Sequence, residues 1–310
     1  MRFCPKIFNE INLEPAHISP CCNIRGLQTP VFPYSGGEID MNAYAAFLQK
    51  TADELQTDSG LCRGCPDLES AAQPRTYGIS FHAVSINMHR YFCNCKCVYC
   101  GLWQDRKRKE PYDPLPGLKS LRNQDALAEN CVISWGGGEP SILPTFDASC
   151  DWALENGYYQ YIHTNALRFS PAIARAIRRK RTAINISLDS SSPAAYKRVK
   201  GLDGFQKVTD SLKKYAEYDP GALTLKYIIF EENNSPAEVA GFIRLCKALN
   251  VAQAQYSLDF RETNSRKVSE KTLTTAAFMI KQAQALGVEC VPSFIDRPWL
   301  EKINAIAESI

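Results

Sequence analysis

Three cysteines in the segment CNCKCVYC constrain the fold of this chain more than any other feature. Cys93, Cys97 and Cys100 are spaced C-x3-C-x2-C. Three thiolates at this spacing can hold a four-iron cluster and leave its fourth iron without a protein ligand. Such an iron can bind a small molecule, whereas a fully ligated cluster only transfers electrons. A zinc knuckle or an ordinary ferredoxin segment can carry similar spacing, so the rest of the chain must decide.

A glycine-rich turn follows a predicted buried strand downstream of these cysteines. The apolar strand predicted near 131–135 leads into Gly137, Gly138 and Glu139. Glycine allows a ligand to approach the backbone closely, and the end of a strand exposes free amide and carbonyl groups. The turn is therefore a candidate ligand-binding site.

Two later strands also end in polar side chains. The strand predicted over 159–164 ends in Thr164, and the strand over 183–188 carries Ser187 and is followed by Asp189. Polar side chains at the ends of parallel strands are well placed to contact a ligand, because all these ends lie on one rim.

Apolar segments of strand length alternate with helical patterns through most of the chain. Helix starts are well marked, for example at Ser170 and Ser235, each of which precedes a proline. This alternation is typical of a parallel sheet wrapped by helices. The predicted strands lie near 78–86, 131–135, 159–164, 183–188, 223–229 and 254–260, with a short one over 288–291.

The cysteine spacing, the aromatic Tyr99 before the last cysteine, the GGE turn and the polar strand ends together resemble the radical S-adenosylmethionine (SAM) enzymes. The resemblance implies an α/β fold, a partial (β/α)6 barrel similar to a TIM barrel. It also implies that Cys93, Cys97 and Cys100 hold a [4Fe-4S] cluster whose open iron binds SAM.

The resemblance further assigns contacts to SAM. The GGE turn would bind the amino group of the methionine moiety, Ser187 would touch the ribose, and Arg198 would pair with the carboxylate. A planar guanidinium suits that bidentate task. The expected cofactor-binding residues are Tyr99, Gly137, Gly138, Glu139, Thr164, Ser187, Asp189 and Arg198.

Five of the thirteen cysteines precede the triplet, at Cys4, Cys21, Cys22, Cys62 and Cys65. They are sufficient for a four-thiolate site with one cysteine to spare, and the spacing favours Cys21 over Cys22. The site could hold iron and sulfur or a structural zinc, because both metals accept four thiolates.

This region resembles an auxiliary-cluster module of the SPASM or Twitch type, which holds a second four-iron cluster. Cys4, Pro5 and Phe8 match its first element. In most relatives the module follows the barrel, whereas here it precedes it. We predict an auxiliary module over 1–76 and a radical SAM barrel with a C-terminal helical extension over 77–310.

Composition limits the remaining possibilities. The chain of 310 residues has a net charge of +3 and 45% hydrophobic residues, which is ordinary for a globular enzyme. The short basic segment 106–109 does not indicate a nucleic-acid partner, and no apolar run indicates a membrane span or a signal peptide. Thirteen cysteines suit a reducing cytoplasm, where thiolates remain available for iron.

The resemblance implies radical chemistry. One electron from a donor such as flavodoxin or ferredoxin would cleave SAM to a 5′-deoxyadenosyl radical, which removes a hydrogen atom from an unactivated carbon. The net reaction would be an oxidation or dehydrogenation assisted by the auxiliary cluster, or an epimerisation in which Cys290 returns a hydrogen atom.

The substrate is less constrained. We expect a small or sugar-like molecule, with a ribosomal peptide as the alternative. Outside the enzymes, an iron–sulfur electron carrier or a zinc-stabilised binding protein remains open.

Overall fold

The computed structural model describes residues 2–21, 29–57, 62, 65, 67–70, 78–87, 92–101, 103 and 112–310. The chain divides into two compact units, 1–92 with 108–161 (unit 1) and 93–107 with 162–310 (unit 2). The basic segment 106–109 and Cys22 lie outside the described residues.

Unit 1 begins with short strands and one long helix. Its strands are β1 (Arg2–Phe3), β2 (Glu10–Glu14), β3 (His17–Ser19), β4 (Phe32–Pro33), β5 (Glu69–Ser70), β6 (Phe81–Asn87) and β7 (Leu127–Gly136). Its helices are α1 (Met41–Glu54), α2 (Leu115–Asn123) and α3 (Phe146–Glu155), with a 3-10 turn over Pro140–Ile142. The Asp40 side chain accepts a hydrogen bond from the Ala43 amide and caps α1.

The larger sheet of unit 1 has the strand order β7-β6-β2-β3-β4. β6 is parallel to both β7 and β2, whereas β2, β3 and β4 follow one another as antiparallel neighbours. β1 and β5 form a separate antiparallel pair. Since β2 pairs with β6, the border of unit 1 does not coincide with residue 76, and the functional division at that residue stays a prediction.

Unit 2 continues the alternation of strands and helices. Its strands are β8 (Tyr159–Thr164), which crosses the border between the units, β9 (Thr182–Ser187), β10 (Leu223–Ile229), β11 (Gln253–Leu258) and β12 (Cys290–Pro292). Its helices are α4 (Pro171–Arg178), α5 (Pro193–Lys200), α6 (Phe205–Tyr218), α7 (Pro236–Leu249), α8 (Phe260–Asn264), α9 (Glu270–Leu286) and α10 (Arg297–Ser309), with a 3-10 turn over Pro220–Ala222. The order is β12-β11-β10-β9-β8, and the pairs from β9 to β12 are parallel.

Local sequence signals explain these elements. Ser170, Ser192 and Ser269 each accept a hydrogen bond from an amide in the first turn of the helix that follows. Gly201 and Gly287 end α5 and α9 in the left-handed conformation. The six predicted strands are present as β6 to β11, and the predicted α/β class is confirmed.

The sheet of unit 2 has two chemically different faces. Leu225, Tyr227 and Tyr256 are buried on the face that packs against helices, where the Tyr227 and Phe242 rings are 5.1 Å apart. The opposite face, called here the inner face, carries polar side chains in register: Lys226 is paired with Ser187 on β9 and with Gln255 on β11. This alternation follows from the two-residue period of a strand.

Within the residues that the structure describes, every helix is too short or too polar to cross a bilayer.

Candidate functional site

The three cysteines of the triplet lie on a loop, residues 93–101, that rests against the end of α5. The Lys96 amide donates to the Lys200 carbonyl at 2.9 Å, and the Val98 amide donates to the Val199 carbonyl at 3.0 Å. Gly201 follows directly with φ 73°, and a Cβ there would lie 2.9 Å from the Cβ of Lys96. The cluster loop, as we call this segment, therefore requires glycine at position 201.

The thiols of the cluster loop interact with one another and with amides. The Cys95 amide donates to the Cys93 sulfur at 3.4 Å. The pKa of Cys97 is lowered to about 6, first by the hydrogen bond from the Cys95 thiol. Burial acts against this shift, and the positive charge of Lys200 lowers the pKa further. A cysteine of this kind is largely a thiolate at neutral pH, which is the form that binds iron.

A buried ion pair lies beneath the cluster loop. The Lys200 ammonium contacts the Asp189 carboxylate, and the two side chains are 1% and 0% exposed. The Tyr99 hydroxyl donates to the same carboxylate oxygen at 2.7 Å, and the Lys200 ammonium donates to that hydroxyl at 2.9 Å. Burial alone would lower the pKa of Lys200, but the negative charges of Asp189 and Cys97 raise it overall. Lys200 is therefore a permanent cation beside the cluster loop.

The protein uses both carboxylate oxygens of Asp189. Its second oxygen accepts a hydrogen bond from the Ile228 amide at 2.7 Å, and its carbonyl accepts one from the Asn233 side chain at 3.0 Å. Asp189 also has φ 57°, which is uncommon for a residue other than glycine. Asp189 thus joins the ends of β9 and β10 to Tyr99. The predicted contacts of Asp189 and Tyr99 with SAM stay predictions.

The other predicted SAM contacts in unit 2 have distinct positions. The Thr164 hydroxyl accepts from the Ala166 amide at 3.0 Å and shapes the turn after β8. Ser187 lies on the inner face beside Lys226. Arg198 lies exposed on α5. Their contacts with SAM stay predictions.

The GGE turn lies in unit 1 and is tightly packed. Gly137 has φ 69°, and a Cβ there would lie 2.9 Å from the Cα of Asn87. Gly138 has φ 89°. The Glu139 carboxylate is buried and accepts from the amide and hydroxyl of Ser141, at 3.1 and 2.6 Å. That carboxylate therefore caps the following turn, and a contact of the GGE turn with the SAM amino group stays a prediction.

Four of the five early cysteines are near one another in unit 1. The pKa of Cys62 is raised to about 11, first by burial and then by the charges of Cys21, Cys4 and Cys65. Pairing of β1 with β5 ties the chain before Cys4 to the chain after Cys65. We call Cys4, Cys21, Cys62 and Cys65 the N-terminal thiols.

The surroundings of Cys4 suit a metal-bound thiolate. Burial raises the pKa of Cys4, while hydrogen bonds from the amides of Lys6 and Ile7 act against that rise. Amides directed at a sulfur stabilise thiolates in iron–sulfur sites and tune the metal. Lys6 also pairs with Asp67 at 3.2 Å, two residues after Cys65.

In the described part of the chain, no three His, Cys, Asp or Glu side chains already have the arrangement of a closed metal site. The fit of both sites rests on the donor sets, which are three thiols on one loop and four thiols in electrostatic contact. Four thiols suit both iron–sulfur and zinc, so the N-terminal metal remains open.

Cys290 faces away from the inner face. It is in register with Ala254 on β11, on the side that packs against α7, and its charge raises the pKa of Cys246 on that helix after the larger effect of burial. The register parity of a strand therefore places Cys290 opposite to Lys226 and Gln255. Its role as a hydrogen donor stays a prediction that this orientation does not favour.

Sequence reasoning assigned no role to three residues around the cluster loop and the inner face. Lys200 stands at a helix end, where a lysine is usually a solvated charge that complements the helix dipole. The Asn165 side chain donates to Asn94 at 2.7 Å and approaches the Cys93 sulfur at 3.9 Å. Lys226 is part of an otherwise apolar strand. A lysine inside such a strand is unusual, and this feature of the sequence could have identified Lys226.

The sequence profile of the Radical SAM superfamily matches residues 88–243, which is half of the chain. The chain belongs to this superfamily. The match begins before the cluster loop and extends into α7, so it includes the GGE turn, Ser187 and the buried ion pair.

Curated relatives match a central part of the chain. Mycofactocin maturase MftC of Mycobacterium tuberculosis is 24% identical over 144 residues, which cover 46% of this chain and 37% of that protein. GTP 3',8-cyclase of Mannheimia succiniciproducens is 24% identical over 146 residues, which cover 46% of this chain and 43% of the cyclase. The chain thus spans less than half the length of the curated relatives it matches.

Solved structures share the fold. Streptococcus suis SuiB bound to the precursor peptide SuiA superposes with a TM-score of 0.56 at 14% identity, over 87% of this chain and 59% of SuiB. Native anSMEcpe with bound AdoMet gives 0.54 at 16% identity, over 68% of this chain and 64% of that chain. The predicted fold class, a partial barrel of the radical SAM type, is confirmed.

Membership of the superfamily confirms the predicted primary cofactors, a [4Fe-4S] cluster and SAM. The three-thiolate cluster loop provides the ligand set that such a cluster requires.

Proposed function

We propose that this protein is a radical SAM enzyme that removes a hydrogen atom from an unactivated carbon of a small, polar substrate. When bound, the cluster and SAM supply a 5′-deoxyadenosyl radical for that step. The observation that carries the proposal is the cluster loop, in which three thiols share one short segment above the buried Lys200–Asp189 ion pair.

The residues of the chain would mainly hold the cluster and orient the bound molecules. Cys93, Cys97 and Cys100 ligate the cluster, and the Tyr99 hydroxyl attaches their loop to the ion pair. A loop fixed in this way would hold a bound cluster in one orientation, as an active site requires.

SAM would be held by groups at the ends of several strands. The GGE turn would take the amino group and Ser187 the ribose, and Arg198 on α5 would take the carboxylate. Arg198 is exposed on α5, so its guanidinium is accessible for a bidentate contact.

The N-terminal thiols would hold a second [4Fe-4S] cluster within the module 1–76. A cluster held there would supply an electron acceptor, and the net reaction would then be an oxidation or dehydrogenation. Two observations support this second site. After the larger effect of burial, the charges of Cys21, Cys4 and Cys65 raise the pKa of Cys62, and the amides of Lys6 and Ile7 form hydrogen bonds to Cys4.

The polar inner face supports a small or sugar-like substrate, because Ser187, Lys226 and Gln255 offer hydrogen bonds and a charge in one row. A second candidate is maturation of a ribosomal peptide, which the likeness to a maturase at 24% identity favours. Either reaction would draw one electron from flavodoxin or ferredoxin in a reducing cytoplasm.

The test is the yield of 5′-deoxyadenosine from anaerobically reconstituted protein that is given SAM and a reductant. We expect product from the wild type and none above background from Cys97→Ala. Cys246→Ala is the matched control, because Cys246 is buried in the core outside the cluster loop, and it should retain product formation. A wild type that carries a full cluster and yields no product would refute the enzymatic proposal.

A further inference from the structure

Among the residues that the structure describes, a lysine on the inner face of unit 2 has no counter-ion. Lys226 is half-buried, and the structure gives it no ion pair with any described acidic side chain. The negative charge of Asp189 acts on the pKa of Lys226, but the Asp189 carboxylate is already paired with Lys200. A cation removed from water without a partner is costly, so it is normally compensated by a ligand if not by the protein.

The neighbours of Lys226 on this face are neutral. Ser187 and Gln255 lie beside it in register. The Asn185 side chain donates to Gln255 at 2.7 Å, and the Gln255 side chain donates to Gln253 at 3.2 Å. These amides form a hydrogen-bonded chain across β9 and β11 and supply no negative charge to the lysine.

A second titratable group, His163, lies near the lysine. Burial lowers the pKa of His163 to about 4, and the charge of Lys226 adds to this effect, so the ring is neutral at neutral pH. Burial also lowers the pKa of Lys226. Lys226 is therefore the charged group of this pair, and a cation on a face with neutral neighbours favours an anion.

Aromatic surface lies against the lysine. The Lys226 ammonium lies 5.5 Å from the centre of the Phe294 ring, and Phe294 is 6.4 Å from Phe260. Both rings are among the exposed large apolar side chains of the described chain. A cation beside exposed apolar rings suits a ligand that has both an anionic and an apolar part.

From these observations we propose that Lys226, with His163 beside it, binds an anionic group of the substrate, a carboxylate or a phosphate. This inference rests on the proposed function, because it assumes that the protein acts on a substrate. It narrows the class of that substrate to anionic molecules. The ammonium would form a charge-assisted hydrogen bond to the anion, and Ser187 and Gln255 would flank it. The SAM carboxylate offers the same chemistry, so the test must separate the two sources.

The experiment measures protection of Lys226 from acetic anhydride, a neutral amine reagent, in anaerobically reconstituted protein by peptide mass spectrometry. The probes are inorganic phosphate, succinate and SAM, each added alone. Lys214 is the internal control, because its ammonium also lies 5.5 Å from a phenylalanine ring, that of Phe169, but on an exposed helix surface. SAM affinity is measured in parallel for the wild type and for Lys226→Met.

We expect phosphate or succinate to slow acetylation of Lys226 at least about threefold without a change at Lys214, as charge-assisted pairing requires. SAM alone should leave the rate unchanged, and Lys226→Met should bind SAM within about twofold of the wild type. Protection by SAM together with an approximately tenfold loss of SAM affinity in Lys226→Met would assign the lysine to SAM and overturn the proposal.

If none of the added anions protects Lys226 from acetylation, the proposal is overturned as well. The yield of 5′-deoxyadenosine from the same preparation separates this result from the proposed function. Product without protection rejects only the anion site, whereas protection without product supports the anion site and rejects the radical chemistry.

Discussion

The cluster loop and the N-terminal thiols are two sulfur-rich sites built in opposite ways. The cluster loop holds Cys93, Cys97 and Cys100 within one short segment that is hydrogen-bonded to the end of α5. The N-terminal thiols come from distant parts of the chain, and the β1–β5 pair and the Lys6–Asp67 contact draw their segments together. The first site is organised by local chain geometry, and the second depends on the fold around it.

The two sites therefore obtain their stability from different sources. The cluster loop rests on a buried ion pair formed by two protein side chains. The N-terminal thiols have short strands and one long helix around them, and a metal that binds four thiolates contributes free energy to folding itself. We therefore expect metal loss to alter structure at the N-terminal site and chemistry at the cluster loop.

The largest expected effect concerns metal removal from the N-terminal thiols. Cys62→Ala combined with Cys65→Ala should cost at least about 5 kcal/mol of metal-coupled folding free energy. Limited proteolysis should then cut within residues 1–70 faster than in the wild type. Cys93→Ala with Cys97→Ala is the matched pair and should leave that cutting rate unchanged. Equal protease sensitivity of the two double variants would erase the proposed difference between the sites.

The next effect concerns the buried ion pair. Lys200→Met leaves the Asp189 carboxylate buried without its cation, which should cost about 3–5 kcal/mol in urea unfolding. Lys197→Met is the control on the same helix, because its pair with Asp203 is 63% and 76% exposed and is worth less than about 1 kcal/mol. If both variants unfold at the same urea concentration, the ion pair does not support the cluster loop.

A smaller effect separates close packing from backbone strain. Gly201→Ala and Gly287→Ala both place alanine at positive φ, but only the first adds a clash with the cluster loop. We expect about 1 kcal/mol for Gly287→Ala and about 1–3 kcal/mol more for Gly201→Ala. Iron content after reconstitution should fall only for Gly201→Ala. Full iron content in that variant would show that the loop can move away from residue 201 without consequence.

Removal of the Tyr99 hydroxyl tests a single hydrogen bond. Tyr99→Phe loses the bond to Asp189 but keeps the ring, which packs 5.6 Å from Phe230. The expected loss in urea unfolding is about 1 kcal/mol. A change below the precision of the measurement would mean that Lys200 alone satisfies the Asp189 oxygen.

The smallest effect is a pH dependence at the inner face. The pKa of His163 is lowered to about 4 in the folded chain, first by burial and then by Lys226, so the unfolded chain binds its proton more readily. Stability from the neutral ring is therefore complete above the unfolded pKa and is lost as the pH falls from about 6.5 towards 4. His163→Gln should flatten this part of the stability curve. An unchanged slope would show that other groups cause it.

Local patterns were sufficient for much of the fold and for the cysteines of the cluster loop. The strands from β6 to β11 follow from apolar segments bounded by turn residues, and Ser170 and Ser235 mark helix starts correctly. The triplet spacing needs no tertiary information, because one short loop contains all three residues.

Tertiary relations account for what the sequence did not reveal. The parallel pairing of β2 with β6 joins segments far apart in the chain. Burial of Lys200 depends on Asp189 and Tyr99, which come from separate elements. The face that Cys290 occupies depends on its register with Ala254, and a shift of one residue would reverse it.

The most direct test of the account is an iron and zinc count with Mössbauer spectra, with and without SAM. Three proteins are compared: the wild type, a variant in which alanine replaces Cys93, Cys97 and Cys100, and one in which it replaces the four N-terminal thiols. We predict about eight irons in the wild type and about four in each variant, with a response to SAM only where the cluster loop is intact. A response to SAM without the cluster-loop cysteines would contradict the account, and four irons with one zinc in the wild type would reject the second cluster.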